Sequence, residues 1–291
     1  MKIYVFVVTY NRLSLLKKTI GSLRNQTYPI DKLCVVNNGS TDGTYEWLSE
    51  QSDLYVINQD NLGGAGGFGR GVQYAYEDGA DWIWMMDDDV FPESDCLETL
   101  LKYKERSLCM QPARYFSDGV YVPWGYHYDI SIDSEEKLPS SNYSKELFSV
   151  NTGCFEGMLI HRSIVSKIGF PDKRFFITND DRIYGYLASK YTDLVLVRDA
   201  RLNREASSKD VKYSPFYTYY SYRNFHLRNE YSKTLTGKPF PLRVKIAYLL
   251  RVLKNSLFGY SYLETSLRNK MRLAIWNGFI HCLQKKEGKT F

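Results

Sequence analysis

Trp82-Ile83-Trp84-Met85-Met86-Asp87-Asp88-Asp89 carries five apolar residues without a break into three carboxylates. A short apolar run that stops at polar residues reads as a strand buried on both faces, the kind found in parallel sheets covered by helices. The carboxylates then fall where the strand ends. Side chains two apart on a strand point the same way, roughly 7 Å apart. Asp87 and Asp89 are therefore expected to face one pocket, with Asp88 turned the other way, a pattern suited to gripping a divalent ion and a phosphorylated ligand. The competing reading is an acidic turn that caps the next helix, because Pro92-Glu93 follows.

The flanking sequence repeats the pattern. Apolar runs at 3–8, 33–36, 54–57 and 82–86 are each followed by a helical pattern, at 13–25, 44–50, 67–76 and 93–105. Regular β-α alternation implies an α/β fold with a mainly parallel central sheet flanked by helices. Ligands of such sheets sit outside the carboxyl ends of the strands. Every polar motif of this half lies there: Thr9-Tyr10-Asn11-Arg12, the segment Asn37-Asn38-Gly39-Ser40-Thr41-Asp42-Gly43, Asn61-Leu62-Gly63-Gly64, and the aspartates. Residues 113–150 show little periodicity and read as a long excursion or flap. Order resumes at 153–169, where Met158-Leu159-Ile160 suggests a buried strand followed by a helix. Beyond Tyr213 the chain is aromatic, then helical and basic.

With 291 residues and 44% hydrophobic content, the chain can bury a substantial core. The opening apolar run is too short for a signal peptide, and no run approaches the roughly 20 apolar residues of a membrane span. Five cysteines without a C-x-x-C pattern argue against a disulfide framework or zinc knuckle and fit a reduced, cytoplasmic setting. The net charge of +5 is unevenly divided: residues 238–291 hold eleven Lys/Arg against Glu264 and Glu287, a balance of +9 that leaves −4 for residues 1–237. On a helical wheel from Leu242, the residues Ile246, Leu249, Leu250, Leu253 and Leu257 form one stripe flanked by Arg243, Arg251 and Lys254. A second such segment at 267–283 carries Arg268, Lys270 and Arg272. These helices either pack on the rest of the chain or on another subunit, or grip an anionic membrane surface; no nucleic-acid partner is expected.

Two further motifs have rival readings. Gly64, Gly66 and Gly69 make a formal G-x-G-x-x-G, but the turn after the first strand, where a dinucleotide fingerprint belongs, is Thr9-Tyr10-Asn11. Glycines this dense imply close approach of backbone to a ligand or to a neighbouring strand, the ligand being favoured. Asp180-Asp181 either caps a helix from Arg182 or supplies a general base that removes a proton from a hydroxyl nucleophile.

The ordered set Thr9-Tyr10-Asn11, Asn38-Gly39-Ser40-Thr41-Asp42-Gly43, Asn61-x-Gly63-Gly64, Asp87-Asp88-Asp89, Gly153-x-x-x-Gly157, Phe175-Phe176-Ile177 and Asp180-Asp181 resembles the family 2 glycosyltransferases, inverting enzymes of GT-A fold. Tyr219-Tyr220-x-x-Arg223-Asn224 and Ala274-Ile275-x-x-Gly278 are most similar to the galactofuranosyl- and rhamnosyltransferase branch. The resemblance implies a GT-A-type nucleotide-binding catalytic domain over 1–237 and an amphipathic basic helical region over 238–291. It implies a nucleotide-sugar site at Thr9, Tyr10, Asn11, Asn38, Asp42, Asn61, Gly63, Gly64, Asp87 and Asp88, with Mn²⁺ or Mg²⁺ on Asp87 and Asp89, and Asp181 as base. Asp180 and Glu156 are secondary candidates. The chain has Asn203-Arg204-Glu205 where the family often places His-Glu, so Arg204 offsets diphosphate charge or Glu205 ligates the ion. The implied reaction moves galactofuranose from UDP-galactofuranose, or rhamnose from dTDP-rhamnose, onto a lipid-linked glycan at the inner face of the cell membrane, with an oligomer possible. A dinucleotide-dependent oxidoreductase and a non-catalytic carbohydrate-binding protein are the rival classes.

Overall fold

A computed structural model describes residues 1–122, 125–210 and 213–291. The first half reads as the alternation predicts: β1 (Ile3–Thr9), α1 (Leu13–Arg24), β2 (Lys32–Asn37), α2 (Thr44–Ser49), β3 (Leu54–Asn58), α3 (Gly63–Glu77), β4 (Trp82–Asp87), the short β5 (Val90–Pro92) and α4 (Cys96–Leu101). Then come β6 (Cys109–Tyr115), a hairpin of β7 (Tyr126–Asp129) and β8 (Ser134–Lys137), β9 (Leu147–Val150), β10 (Leu159–His161), α5 (Arg162–Ile168), α6 (Asp180–Ala188) and β11 (Leu194–Arg204). Four helices follow: α7 (Pro215–Arg223), α8 (Phe225–Thr236), α9 (Leu242–Leu257) and α10 (Thr265–Leu283). Residues 113–150 thus form an excursion that carries the separate β7/β8 hairpin and returns to the central sheet at β9. Pro123 and Trp124 within that stretch lie outside the described residues.

Nine strands form the central sheet in the order β3-β2-β1-β4-β10-β6-β11-β5, with β9 on β11. The ladders β1/β2, β1/β4, β2/β3 and β6/β11 are parallel, whereas β10, β5 and β9 enter antiparallel. Both faces are covered, as continuous apolar strands require. Along β1, Ile3, Val5 and Val7 face α1 and α4 through Leu16, Ile20 and Leu97, while Tyr4, Phe6 and Val8 face α3 through Phe68 and Val72.

The glycines of α3 set how closely that helix lies on the sheet. A Cβ on Gly67 would stand 2.4 Å from Cγ1 of Val8, and one on Gly71 would stand 2.3 Å from Cδ2 of Phe6. Gly63, at φ +74°, brings the helix start against Phe176, where a Cβ would lie 2.0 Å from the carbonyl oxygen. The expectation that ligand approach dominates this run is corrected: packing accounts for Gly67, Gly69 and Gly71, and only Gly63 and Gly64 reach the crevice described below.

Helices α9 and α10 share a core with α7 and α8, joining Phe240, Tyr248, Val252 and Ile275 to Tyr222 and Phe225. Gly278 lets α10 seat on α7, since a Cβ there would lie 2.5 Å from the carbonyl oxygen of Tyr219. The Leu242 stripe points away from this core. Leu250 and Leu257 are each 59% exposed and Leu242 is 72% exposed. Among the described residues, no helix is long and apolar enough to cross a membrane.

Candidate active site

The carboxyl ends of β1, β2 and β4 and the start of α3 open on one crevice of about 400 Å³. Thr9, Tyr10, Asn38, Asn61, Gly63, Gly64, Asp87 and Asp88 line it, so eight of the ten expected nucleotide-sugar positions meet there. Asn11 and Asp42 do not reach it and instead fasten its rim. Asn11 Oδ1 accepts from Thr41 N at 2.6 Å. Asp42 accepts from Leu13 N at 2.9 Å, where the N-terminus of α1 has free amides, and from Thr44 N at 3.3 Å. Burial would raise the Asp42 pKa, but the bonds from Thr44 and Leu13 hold it below the usual carboxylate range.

Asn38 ties the loop after β2 to the β3–α3 connection. Its amide donates to Gly63 O at 3.0 Å and Asn61 Oδ1 at 3.3 Å, and its carbonyl accepts from Gln59 Nε2 at 2.8 Å and Leu62 N at 3.2 Å.

Strand β4 ends at Asp87, and Asp88-Asp89 form a turn into β5. Strand alternation therefore does not govern the triplet, and the expectation that Asp88 faces away is corrected. Asp88, 4% exposed, accepts from Thr9 Oγ1 at 2.8 Å and Tyr10 N at 3.4 Å. Arg12 Nη1 bridges Asp88 at 3.1 Å and Asp89 at 2.8 Å. The Asp87 carboxylate has no hydrogen-bond partner among the described residues, although its backbone belongs to the β1/β4 ladder. Burial, then the charges of Asp89, Glu156 and Asp88, push its pKa well above the usual range.

The buried Glu156 is clasped between Arg114 at 2.6 Å and Arg204 at 3.1 Å. Burial opposes its ionisation, but the two guanidinium groups outweigh that and hold its pKa down. Arg204 thus lies beside the acidic turn. The backbone amide of Glu205 donates to Asp89 O at 3.0 Å, while its carboxylate pairs with Lys18 of α1 at 3.2 Å.

Among the described residues, no three His, Cys, Asp or Glu side chains are arranged to hold a metal by themselves. The donor set nonetheless fits Mn²⁺ or Mg²⁺, hard cations commonly held by one or two carboxylates and completed by substrate phosphate and water. Asp87 is a desolvated carboxylate among like charges, which is the environment a cation relieves.

Asp180 and Asp181 open α6. Burial and the neighbouring Asp181 raise Asp180 to about 8, so at neutral pH it holds its proton. Burial also raises Asp181, less so because the amide of Arg182 donates to it at 2.7 Å and Arg182 and Arg114 lie near. Asp181 is the less buried and the more readily ionised of the two, and the charge of Glu156 acts on both Asp181 and Asp87.

Sequence reasoning missed Arg12, Phe176, Ile177, Phe216, Tyr217 and Lys289, which complete the crevice. Arg12 sits in a quoted motif, and Phe176-Ile177 in another. Phe176, Thr178 and Asn179 have positive φ, at 63°, 68° and 68°, a strained path leading to Asp180. Asn224, 0% exposed, over-determines that path by donating to Phe175 O, Ile177 O and Thr178 O. A larger hollow of about 490 Å³ lies beside α9, lined by Asp133, Phe225, Arg243, Tyr248 and Arg251. It lacks a free carboxylate, since Asp133 is ion-paired to Arg228 at 2.8 Å.

The description "Glycosyl transferase family 2" matches residues 4–169, more than half of the chain and all of the crevice's β-α units. The chain belongs to glycosyl transferase family 2. Galactofuranosyltransferase GlfT1 of Mycolicibacterium smegmatis is 30% identical over 184 residues, 60% of this chain and 61% of the relative. The chain therefore spans about three fifths of the length of such relatives. O-antigen chain rhamnosyltransferase RfbN of Salmonella typhimurium is 31% identical over 104 residues, 35% of this chain and 33% of that protein. S. aureus TarS 1-349, solved with UDP-GlcNAc, superposes with a TM-score of 0.57 at 16% identity, over 97% of this chain and 81% of TarS. Family 2 membership displaces the dinucleotide oxidoreductase reading, and of its formal pattern Gly64, Gly66 and Gly69 only Gly69 packs on a distant segment, where a Cβ would lie 2.8 Å from the carbonyl oxygen of Pro171.

Proposed function

We propose that this family 2 enzyme transfers galactofuranose from UDP-galactofuranose, with inversion, to a hydroxyl of a lipid-linked glycan. The observation that carries this is the convergence of Thr9, Asn38, Gly64, Asp87 and Asp88 on one crevice, whose wall includes Phe176 and Ile177 of the segment leading to the buried Asp180-Asp181 pair. The nucleotide lies against the β1, β2 and α3 loops, with its diphosphate toward the acidic turn. Asp87 and Asp89 would hold Mn²⁺ or Mg²⁺, which would supply neutralisation of the charge that develops on the diphosphate. Asp181 accepts the acceptor's O–H proton, the freed oxygen bonds to the anomeric carbon, and the C–O bond to the diphosphate breaks with its electron pair leaving on UDP. One displacement at one centre inverts it. The donor assignment leans on the 30% identity to GlfT1, and a dTDP-rhamnose donor is the second reading, favoured by the likeness to RfbN. Turnover of UDP-galactofuranose, with UDP release, tests the first; turnover of dTDP-rhamnose alone would replace it with the second.

The acceptor is met at an anionic membrane. Leu242, Ile246, Leu250, Leu253 and Leu257 form an exposed stripe opposite the core, beside the exposed Arg243 and Lys254. Such a face suits shallow insertion between anionic headgroups. Sedimentation with phosphatidylglycerol vesicles is expected to carry the enzyme down and to lose it in Leu250→Ser/Leu257→Ser. Equal sedimentation of both proteins would count against this partner.

A further inference from the structure

The segment after α10 folds back into the crevice. Lys289, nearly two hundred residues from the acidic turn in sequence, lines the same cavity as Thr9, Asp87 and Asp88. It also lines a smaller adjoining hollow with Leu62 and Phe176, so it stands at the wall between the two. Lys289 has no ion-pair partner among the described residues.

The fold fixes this segment with a buried charge. Arg223 is 0% exposed and faces no carboxylate at bonding distance. Its guanidinium donates instead to Lys286 O at 3.0 Å and Gly288 O at 3.2 Å on one side, and to Arg174 O at 3.0 Å and Phe175 O at 2.5 Å on the other. Burial lowers its pKa, and the charge is held by carbonyl dipoles and the Tyr220 ring, 4.9 Å from the guanidinium, with no bonded carboxylate. Gly288 N donates to Arg174 O at 2.8 Å, Thr290 N donates to Tyr220 Oη at 3.1 Å, and Phe291 packs on Phe216 and Tyr219. Lys289 is thereby pinned on both sides while its own side chain stays exposed.

We infer that Lys289 is a donor-binding residue whose ammonium pairs with the anionic diphosphate of the nucleotide, on the side of the crevice away from the acidic turn, with Arg223 positioning it. An unpaired cation in a crevice whose other charged lining is Asp87, Asp88 and the already paired Arg12 calls for an anionic ligand, and a diphosphate whose charge a divalent ion on Asp87 and Asp89 would help to neutralise is the class that fits. The inference rests on the nucleotide-sugar reading above.

The test titrates UDP and dTDP, each with Mn²⁺, into the full wild-type chain, then carries the nucleotide that binds into Lys289→Ala and Lys289→Arg, with the matching nucleoside as control. Losing one charge-assisted hydrogen bond is expected to weaken the diphosphate about tenfold in Lys289→Ala, about 1.4 kcal/mol, with the melting temperature and nucleoside affinity unchanged and Lys289→Arg restoring most of the loss. Equal diphosphate affinity in wild type and Lys289→Ala would overturn the assignment while sparing the donor site. Absence of binding of either nucleotide to wild type would overturn both.

Discussion

Substituting two glycines of α3 separately divides packing from ligand approach. Gly71→Ala would place a Cβ 2.3 Å from Cδ2 and 2.4 Å from Cε2 of Phe6, a core ring only 1% exposed that has nowhere to move. Overpacking of this kind costs about 3 kcal/mol at its upper end. Alanine in a helix interior recovers about 1 kcal/mol relative to glycine, leaving a net loss of about 2 kcal/mol. For a chain of this size that corresponds to a melting temperature lower by about 4–8 °C. Gly64→Ala meets nothing closer than Cγ1 of Ile177 at 4.0 Å, an ordinary contact. Its methyl group instead enters the donor crevice. Thermal unfolding of both variants, paired with calorimetric titration of UDP, should therefore give opposite outcomes. Gly71→Ala melts early and binds UDP normally, whereas Gly64→Ala melts like wild type and binds UDP about tenfold more weakly, a loss of about 1.4 kcal/mol. The reasoning is refuted if Gly71→Ala keeps its melting temperature but loses UDP, or if Gly64→Ala melts early with full affinity.

Further outcomes follow from the same geometry. Asn38→Ala removes four hydrogen bonds at a buried side chain and strands the amides of Gln59 and Leu62, so urea unfolding should show a loss of about 2–4 kcal/mol. Asp181→Asn should lower kcat by about 10²–10⁴-fold with UDP affinity intact. The wild-type rate should also fall as pH drops through the raised pKa of Asp181, since the base must be ionised. Asp180 keeps its proton in the folded chain up to about pH 8. An unfolded aspartate releases it near pH 4, so the folded chain binds more protons across that window and stability declines as pH rises from about 4 to about 8. Asp180→Asn should flatten that slope and melt above wild type at pH 9; an unaltered slope would show the proton is not there.

The legible parts of this fold are those where local sequence and tertiary environment agree. β1, β2 and β4 are buried on both faces, so uninterrupted apolar runs announce them, the edge strand β3 is partly exposed, and parallel order places the polar ends of all four together. β6 was hidden because Gln111, Pro112 and Arg114 break its apolar run, although all are buried; their partners come from the 154–156 turn. The start of α3 at Gly63 was hidden because glycine signals a loop in isolation, and only the surfaces of Phe6, Val8 and Phe176 explain why glycine is needed. Within the site, the carboxylates were readable as a cluster. Their directions were not, because the strand ends at Asp87, two residues earlier than alternation through Asp89 assumes. Lys289 carried no local signal: its place depends on Arg223 bonding carbonyls from two distant segments. Arg223-Asn224 was visible as a motif, but its role in holding Phe175 to Thr178 in a strained path is a tertiary fact.

The most direct test is a crystal structure of the full chain with UDP and Mn²⁺. The account predicts the uracil and ribose against the loops of Thr9, Asn38 and Gly64, with the diphosphate and ion beside Asp87 and Asp89. UDP seated elsewhere, for instance in the hollow between Arg243 and Arg251, with the acidic turn still closed by Arg12, would contradict it.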